Sequence, residues 1–276
     1  MPELPEVETV ARSLEAQLLG RTIIGLAKLD WPRMLTPPAP DFAALVSGRR
    51  IEAIGRRAKW LLLTLDGGWT LAIHLRMSGH LLVAEPAAAD APHVHFALDL
   101  DNGRHLIFDD QRKFGRVHLL DPQGLAMLDA AHGPEPLADG FTPAVLAERL
   151  RDRRAPIKAL LLDQRLIAGI GNIYANEALW LARIHPLTPG GALAAEQIAA
   201  LHHAIRVVLA AAIDNQGSSL RNYRDGYGRR GSQQEHFNVY DREGEPCPRC
   251  QTPVERMVVA QRSTYVCPQC QVRVGN

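Results

Sequence analysis

A run of about 18 consecutive apolar residues, the minimum for a membrane-spanning helix, is missing from this 276-residue chain. The opening MPELPEVET has neither a basic start nor an apolar stretch, so no secretory signal is read and a cytoplasmic location is expected. Cysteine is absent until Cys247, and all four cysteines fall within the last 30 residues. In a chain without an export signal, that placement argues for a metal site rather than disulfides. Charge of one sign is lacking too. Lys and Arg number 31 against 30 Asp and Glu, and a net charge of +1 by itself says little for a polyanionic partner. No internal repeat is visible.

What is present is unevenly spread. Residues 1–140 hold 14 basic against 18 acidic side chains, and residues 141–276 hold 17 against 12. Basic clusters occur in both parts: Arg49, Arg50, Arg56, Arg57 and Lys59; Arg149, Arg151, Arg153 and Arg154; Arg221, Arg224, Arg229 and Arg230. Such clusters are ordinarily solvated faces and become a phosphate footprint only with other support.

The length favours two domains with an appendage. Residues 5–19 predict an amphipathic helix. Pro5 suits its first turn, Glu6 and Glu8 favour the positive end of the dipole, and Val7, Val10, Leu14 and Leu18 form one apolar stripe that Gly20 ends. Residues 21–120 read as short strands: Ile51–Ile54, Trp60–Leu65, Trp69–Leu75, Leu81–Val83, Val94–Leu100, His105–Phe108 and Val117–Leu120. Turn chemistry such as Asp66-Gly67-Gly68 and Asp101-Asn102-Gly103 separates them, which predicts an antiparallel sandwich or flattened barrel. Glu85–Pro92 reads as a surface loop. Residues 121–142 are rich in Pro and Gly and read as the linker zone. Helical periods follow at 142–151, 156–163, 173–183 and 193–214, so the class is α+β. Residues 217–236 are polar, Gly-rich and basic and predict a mobile loop. The expected domains are therefore 1–130, a linker at 131–141, a helical domain at 142–236 including loop 217–236, and a cysteine module at 237–276.

Three constellations carry chemistry. Cys247-Pro-Arg-Cys250 and Cys267-Pro-Gln-Cys270, with 16 residues between them, have the spacing of a closed tetrahedral site for one structural zinc ion per chain. Four protein ligands leave no open position, so that zinc activates no water. The intervening residues predict a β-hairpin with Arg262 near its turn, a shape that suits a DNA groove but also binds proteins in zinc ribbons. Second, Gly169-Ile-Gly171-Asn-Ile-Tyr-Ala-Asn-Glu177 lacks the third glycine of a dinucleotide fingerprint and has helical flanks. It reads as a turn between two helices, where backbone N–H groups and the Asn172 amide can hold a phosphate; a simply capped turn explains it equally well. Third, removal of Met1 would leave Pro2 as a secondary amine beside Glu3. Model α-amino groups titrate near 7.7–8.0, so roughly a tenth is neutral at pH 7 and able to attack carbon. Read alone, Pro2 and Glu3 are more ordinarily a helix lead-in than a reactive pair.

Seven stretches taken together resemble one family. MPELPEVET, Arg57-Ala-Lys59, His74-Leu-Arg-Met-Ser-Gly79, Gln111-Arg-Lys-Phe-Gly115, Gly133-Pro-Glu-Pro136, Gly171–Glu177 and the cysteine module are similar, in order, to formamidopyrimidine-DNA glycosylase. The resemblance implies an N-terminal β-sandwich with an N-terminal helix, a helical domain with a helix–two-turns–helix motif, and a C-terminal zinc hairpin. Damaged double-stranded DNA would lie between the domains, and the enzyme would act as a monomer associated with the nucleoid. It implies catalytic roles for Pro2 as Schiff-base nucleophile, Glu3 as proton donor for base release, Lys59 in the first elimination and Arg262 in the second. The residues themselves leave Lys59 open as acid or as phosphate contact. His93, Arg112, Arg153, Lys158 and Asn172 fall where the family contacts DNA. Met77, Arg112 and Phe114 would fill the gap left by an extruded nucleotide, although Met77 and Phe114 read alone are ordinary core residues. Loop 217–236 would close over that nucleotide. Two departures stand out: Gln111 where proline is common, expected to loosen the turn that presents Arg112, and Arg76 beside the plug residue.

Two rivals differ in class or substrate. A glycosylase for oxidised pyrimidines, of the endonuclease VIII type, shares the nucleophile and zinc module, but Leu4 and the long 217–236 segment favour purines. A non-enzymatic zinc-hairpin DNA-binding protein would need no free Pro2 amine.

Overall fold

Pro5 opens helix α1 (Leu4–Leu18) with Glu3 as its N-cap, and Val7, Val10, Leu14 and Leu18 are fully buried as the predicted stripe. Each such side chain contributes about 2 kcal/mol of burial. Gly20, at φ 77°, stops the helix and donates its N–H to Ile51 O at 2.8 Å. The structure, a computed structural model, describes residues 1–220 and 223–273. It forms two compact units: Met1–Ala131 with Asn215–Ser232, and His132–Asp214 with the chain from Gln233 onward.

In the first unit, α1 is followed by β1 (Ile23–Leu29), β2 (Leu35–Thr36), α2 (Ala39–Val46), β3 (Ile51–Arg57), β4 (Trp60–Leu65), β5 (Thr70–His74), β6 (Gly79–Ala84), β7 (Val94–Leu100), β8 (His105–Asp110), β9 (Arg116–Leu120) and α3 (Pro122–Ala130). One sheet runs β1-β7-β8-β6 and the other β2-β9-β5-β4-β3. All pairs are antiparallel except β2 with β9. The larger apolar cluster lies between the sheets and against α1, including Phe42, Leu61, Leu63, Ile73, Phe96 and Phe108. This is the sandwich that the alternating strands predicted. Strand β1 and helix α2 went unread, and the 121–142 linker reading needs correction. Pro122 is the first residue of a helix, with Asp121 Oδ1 accepting from Gly124 N at 2.7 Å. Proline at a helix start and proline in a linker look alike in composition.

The second unit contains α4 (Pro143–Leu150), α5 (Ile157–Leu162), α6 (Asn172–Leu181) and α7 (Ala195–Asp214), then the hairpin β10 (Glu255–Val259) and β11 (Arg262–Val266). By length and composition α7 alone, among the described helices, passes for a membrane span. One face of it packs into the second unit: Leu201, Ala204, Ile205 and Leu209 are buried, and Arg206 donates to Pro136 O and Ala138 O at 3.1 and 2.9 Å.

The expected place of residues 217–232 in the helical domain needs correction. Their described part belongs to the first unit, held on α1. Ser218 N donates to Glu6 Oε1 at 2.8 Å, Tyr223 Oη to Glu6 O at 3.2 Å, and Gly226 N to Ser13 Oγ at 2.7 Å. Gly and Ser let this backbone approach the helix closely. The acceptors lie some 210 positions away in sequence, where no local pattern reveals them. Arg221 of the predicted basic cluster lies outside the described residues.

Candidate functional site

Pro2 and Glu3 are buried at the N-terminus of α1, with Glu3 only 3% exposed. A capping box orients them: Glu3 N donates to Glu6 Oε2 at 2.8 Å, while the Glu3 side chain takes the Glu6 N–H. Glu6 is itself buried and gives its other oxygen to Ser218 N. One carboxylate therefore holds both the Glu3 backbone and the Ser218 backbone. Burial and the nearby Glu6 carboxylate push the Tyr223 hydroxyl far above its ordinary range, which keeps it a donor. With Met1 attached, the Pro2 nitrogen is an amide and not a nucleophile.

Lys59 occupies the two-residue turn between β3 and β4, after Ala58 at φ 53°, and is 5% exposed. Arg56 ties this turn to α1, donating Nε to Glu8 Oε2 and a terminal nitrogen to Ala58 O, both at 3.1 Å.

Met77, Arg112 and Phe114 come together although 37 positions separate the first from the last. Arg112 contacts Met77 Sδ at 3.3 Å and lies 4.7 Å from the Phe114 ring centroid. Met77 and Phe114 are 42% and 45% exposed, so neither is core. The organiser is Asp110, which is 1% exposed. It accepts from Ser78 Oγ at 2.6 Å, Gly115 N at 2.7 Å and Arg112 N at 3.3 Å, and its own N–H donates to His93 O at 2.8 Å. Gly79 and Gly115 have no alternative: a Cβ at either would come within 2.5 Å of the Phe108 ring. The turn at Gln111 is thus held by Asp110, so a proline there is not needed to order it. Asp110→Ala removes an acceptor from two backbone N–H groups and a hydroxyl. The expected cost is about 3 kcal/mol, or a Tm lower by about 6–12 °C, with weaker binding to abasic-site DNA. An unchanged melting curve and affinity would show that the loops order without it.

In the second unit, α5, the turn at 163–171 and α6 form the helix–two-turns–helix. Gln164 braces the turn, accepting from Gly169 N at 2.9 Å and donating to Ile170 O at 2.8 Å. Arg153 is exposed after α4. Asn172 is half-buried, and its Nδ2 donates to Ser263 O at 3.0 Å. Lys158 corrects an expectation: it is fully buried, and its ammonium donates to Thr264 Oγ1, Ser263 O and Asn176 Oδ1. A side chain so enclosed does not reach a phosphate. Glu177, the last residue of its motif, accepts from the backbone N–H groups of Asn238, Val239 and Tyr240 at 2.9 Å each, which locks the chain before the cysteine module.

The four sulfurs of Cys247, Cys250, Cys267 and Cys270 all lie within 4.8 Å of one another. Tetrahedral zinc with Zn–S of about 2.3 Å requires sulfurs about 3.8 Å apart, so the set fits zinc. Burial pushes the Cys267 thiol up to about 12, whereas hydrogen bonding with Thr252 pulls Cys250 down to about 6. A divalent cation offsets that burial cost and favours four thiolates. Trp180 Nε1 donates to Cys247 Sγ at 3.3 Å and so ties the module to α6. Arg262 is exposed at the start of β11, beside the hairpin turn.

Sequence reasoning missed Asp110, Asn176 and Glu177, and gave Glu6 only a dipole role. Glu6 stands three residues after its N-cap, a legible capping signal. Asp110 directly precedes the Gln111–Gly115 motif, but nothing local says that it turns inward.

Comparison with known proteins follows the same divisions. The model of the formamidopyrimidine-DNA glycosylase N-terminal domain matches residues 1–117, and that of the family's H2TH domain matches residues 132–224. A zinc finger found in FPG and IleRS matches residues 244–272. Formamidopyrimidine-DNA glycosylase of Chloroflexus aggregans is 86% identical, over 99% of this chain and 100% of that protein. The crystal structure of the MutM (FPG) protein from Thermus thermophilus superposes with a TM-score of 0.87 at 43% identity, covering 98% of each chain. The complex of Lactococcus lactis FPG (MutM) with Fapy-dG-containing DNA gives a TM-score of 0.90 at 37% identity, over 98% of this chain and all of that one.

Proposed function

We propose, because this chain belongs to the formamidopyrimidine-DNA glycosylase family, that it excises oxidised purines from duplex DNA through Pro2 and then cleaves the strand. It is a base-excision-repair DNA glycosylase with AP lyase activity and a zinc finger. The substrates are 8-oxoguanine and formamidopyrimidines, the enzyme acts as a monomer on nucleoid DNA in the cytoplasm, and the zinc only supports the fold. The observation that carries the catalytic reading is the buried, capped Pro2–Glu3 pair at the head of α1.

After loss of Met1, the Pro2 amine attacks the sugar C1′ while Glu3 protonates the ring oxygen, and the base departs. The resulting iminium acidifies the C2′ proton. Its loss expels the 3′ phosphate in a first elimination, in which Lys59 donates the proton; a second elimination, with Arg262 as donor, expels the 5′ phosphate. Met77, Arg112 and Phe114 occupy the space of the extruded nucleotide, with Arg112 offering donors to the orphaned base. Their mutual contacts and exposure support that role. His93, Arg153 and Asn172 hold the backbone. Residues 217–236 cover the lesion.

Excision from duplexes carrying 8-oxoguanine or thymine glycol tests the substrate. Preference for thymine glycol would select the oxidised-pyrimidine reading instead. Glu3→Gln is expected to abolish release of damaged bases yet to keep part of the cleavage at abasic sites, where no base remains to be expelled. Unchanged base release removes Glu3 from the mechanism.

A further inference from the structure

Lys158 is a buried cation for which the chemistry above has no use. Its Nζ donates to Thr264 Oγ1 at 2.7 Å, Ser263 O at 2.9 Å and Asn176 Oδ1 at 3.3 Å. The contacts continue beyond it. Thr264 Oγ1 donates to Arg262 O at 3.1 Å. Asn176 Oδ1 also accepts from Tyr265 N at 2.8 Å, and its Nδ2 donates to Asn172 O at 2.5 Å. Asn172 Nδ2 returns to Ser263 O. The network thus grips β11 at Arg262 O, Ser263 O, the Thr264 hydroxyl and Tyr265 N, and joins it to the first residue of α6.

The grip matters because the adjoining turn is unfavourable. Ala260 and Gln261 link β10 to β11 with φ of 50° and 57°. Two successive non-glycine residues in the left-handed region are each disfavoured by the clash of Cβ with the following carbonyl oxygen. Arg262 follows directly, with its side chain exposed. Pairing with β10 over five positions sets the register of β11, and the Lys158 network fixes where the strand that carries Arg262 lies against α5 and α6.

We propose that Lys158 is a positioning residue for Arg262: it never touches DNA, but sets where the Arg262 side chain stands during the second elimination. This rests on the reading of Arg262 as the proton donor of that step. Displacement of a donor by about 1 Å is enough to cost up to about a hundredfold in rate. The first elimination and Schiff-base formation, which use Pro2, are left alone.

The test compares Lys158→Met, Thr264→Val and Arg262→Ala as zinc-loaded full chains on abasic-site DNA at saturating enzyme. Readouts are borohydride trapping, the ratio of second- to first-elimination product, zinc content and Tm. Lys158→Met is expected to retain zinc and the trapping rate while its second-elimination product falls about tenfold or more, and Thr264→Val to shift the ratio the same way. A loss of trapping in proportion to product would mean general unfolding and overturns the proposal. Should Lys158→Met fail to fold, Thr264→Val decides: a wild-type ratio there overturns it. If Arg262→Ala lowers the ratio and both other variants leave it unchanged, the Lys158 inference falls and the Arg262 reading stands. If Arg262→Ala changes nothing, the Arg262 reading itself has failed, and the inference with it.

Discussion

Protein with an N-terminal tag is expected to show no borohydride-trappable complex with abasic-site DNA, and full trapping is expected to return when a protease removes the tag back to Pro2. The tag turns the Pro2 nitrogen into an amide whose lone pair is delocalised, so attack on C1′ ends. The expected loss exceeds about a thousandfold, equivalent to more than about 4 kcal/mol of barrier. The fold should not change, because α1 begins at Leu4 and its cap lies in Glu3 and Glu6 rather than in the terminal amine. Pro2→Gly is expected to lose trapping too: its imine must be protonated before it can act as the permanently charged proline iminium does. Trapping by the tagged protein at the untagged rate would move the nucleophile elsewhere, and the non-enzymatic alternative predicts no trapping in either form.

Cys250→Ser is expected to abolish zinc binding and, with it, high-affinity DNA binding. The cysteine module has little core besides its ligands: Val239, Val254 and Tyr265 pack with Trp180, Cys247 and Cys267. So small a cluster does not stabilise a hairpin whose turn is left-handed at two residues. Metal binding supplies about 10–16 kcal/mol in comparable zinc modules, and here that energy is folding energy. Zinc content should fall from one per chain to none, and affinity by about a hundredfold, or roughly 2.7 kcal/mol. The β-sandwich should still melt cooperatively, since none of its residues depends on the metal. DNA binding that persists without zinc would show that the hairpin orders by itself.

Much of the architecture was written in local pattern. The α1 stripe, the strands Trp60–Leu65 and Val94–Leu100 and the two C-x2-C turns were found where periodicity and spacing put them. Strand β1 escaped because its register shifts against β7 break the alternation that marks a strand. Helix α3 escaped because Pro122 was taken as a linker residue. Met77 and Phe114 are a different case: hydrophobicity alone assigns them to the core, and only the structure reveals them exposed around Arg112.

By itself the chain's order of residues determined what depends on near neighbours: where helices start and stop, which strand faces are apolar, and that four thiols can share one zinc. Tertiary structure alone decided which polar side chains turn inward and what they hold. Asp110 reaches Ser78 across 32 positions, Lys158 reaches Thr264 across 106, and Glu6 reaches Ser218 across 212. A buried polar group requires a partner, but residue type does not say which distant atom supplies it; only the folded backbone brings the two within 3 Å of each other.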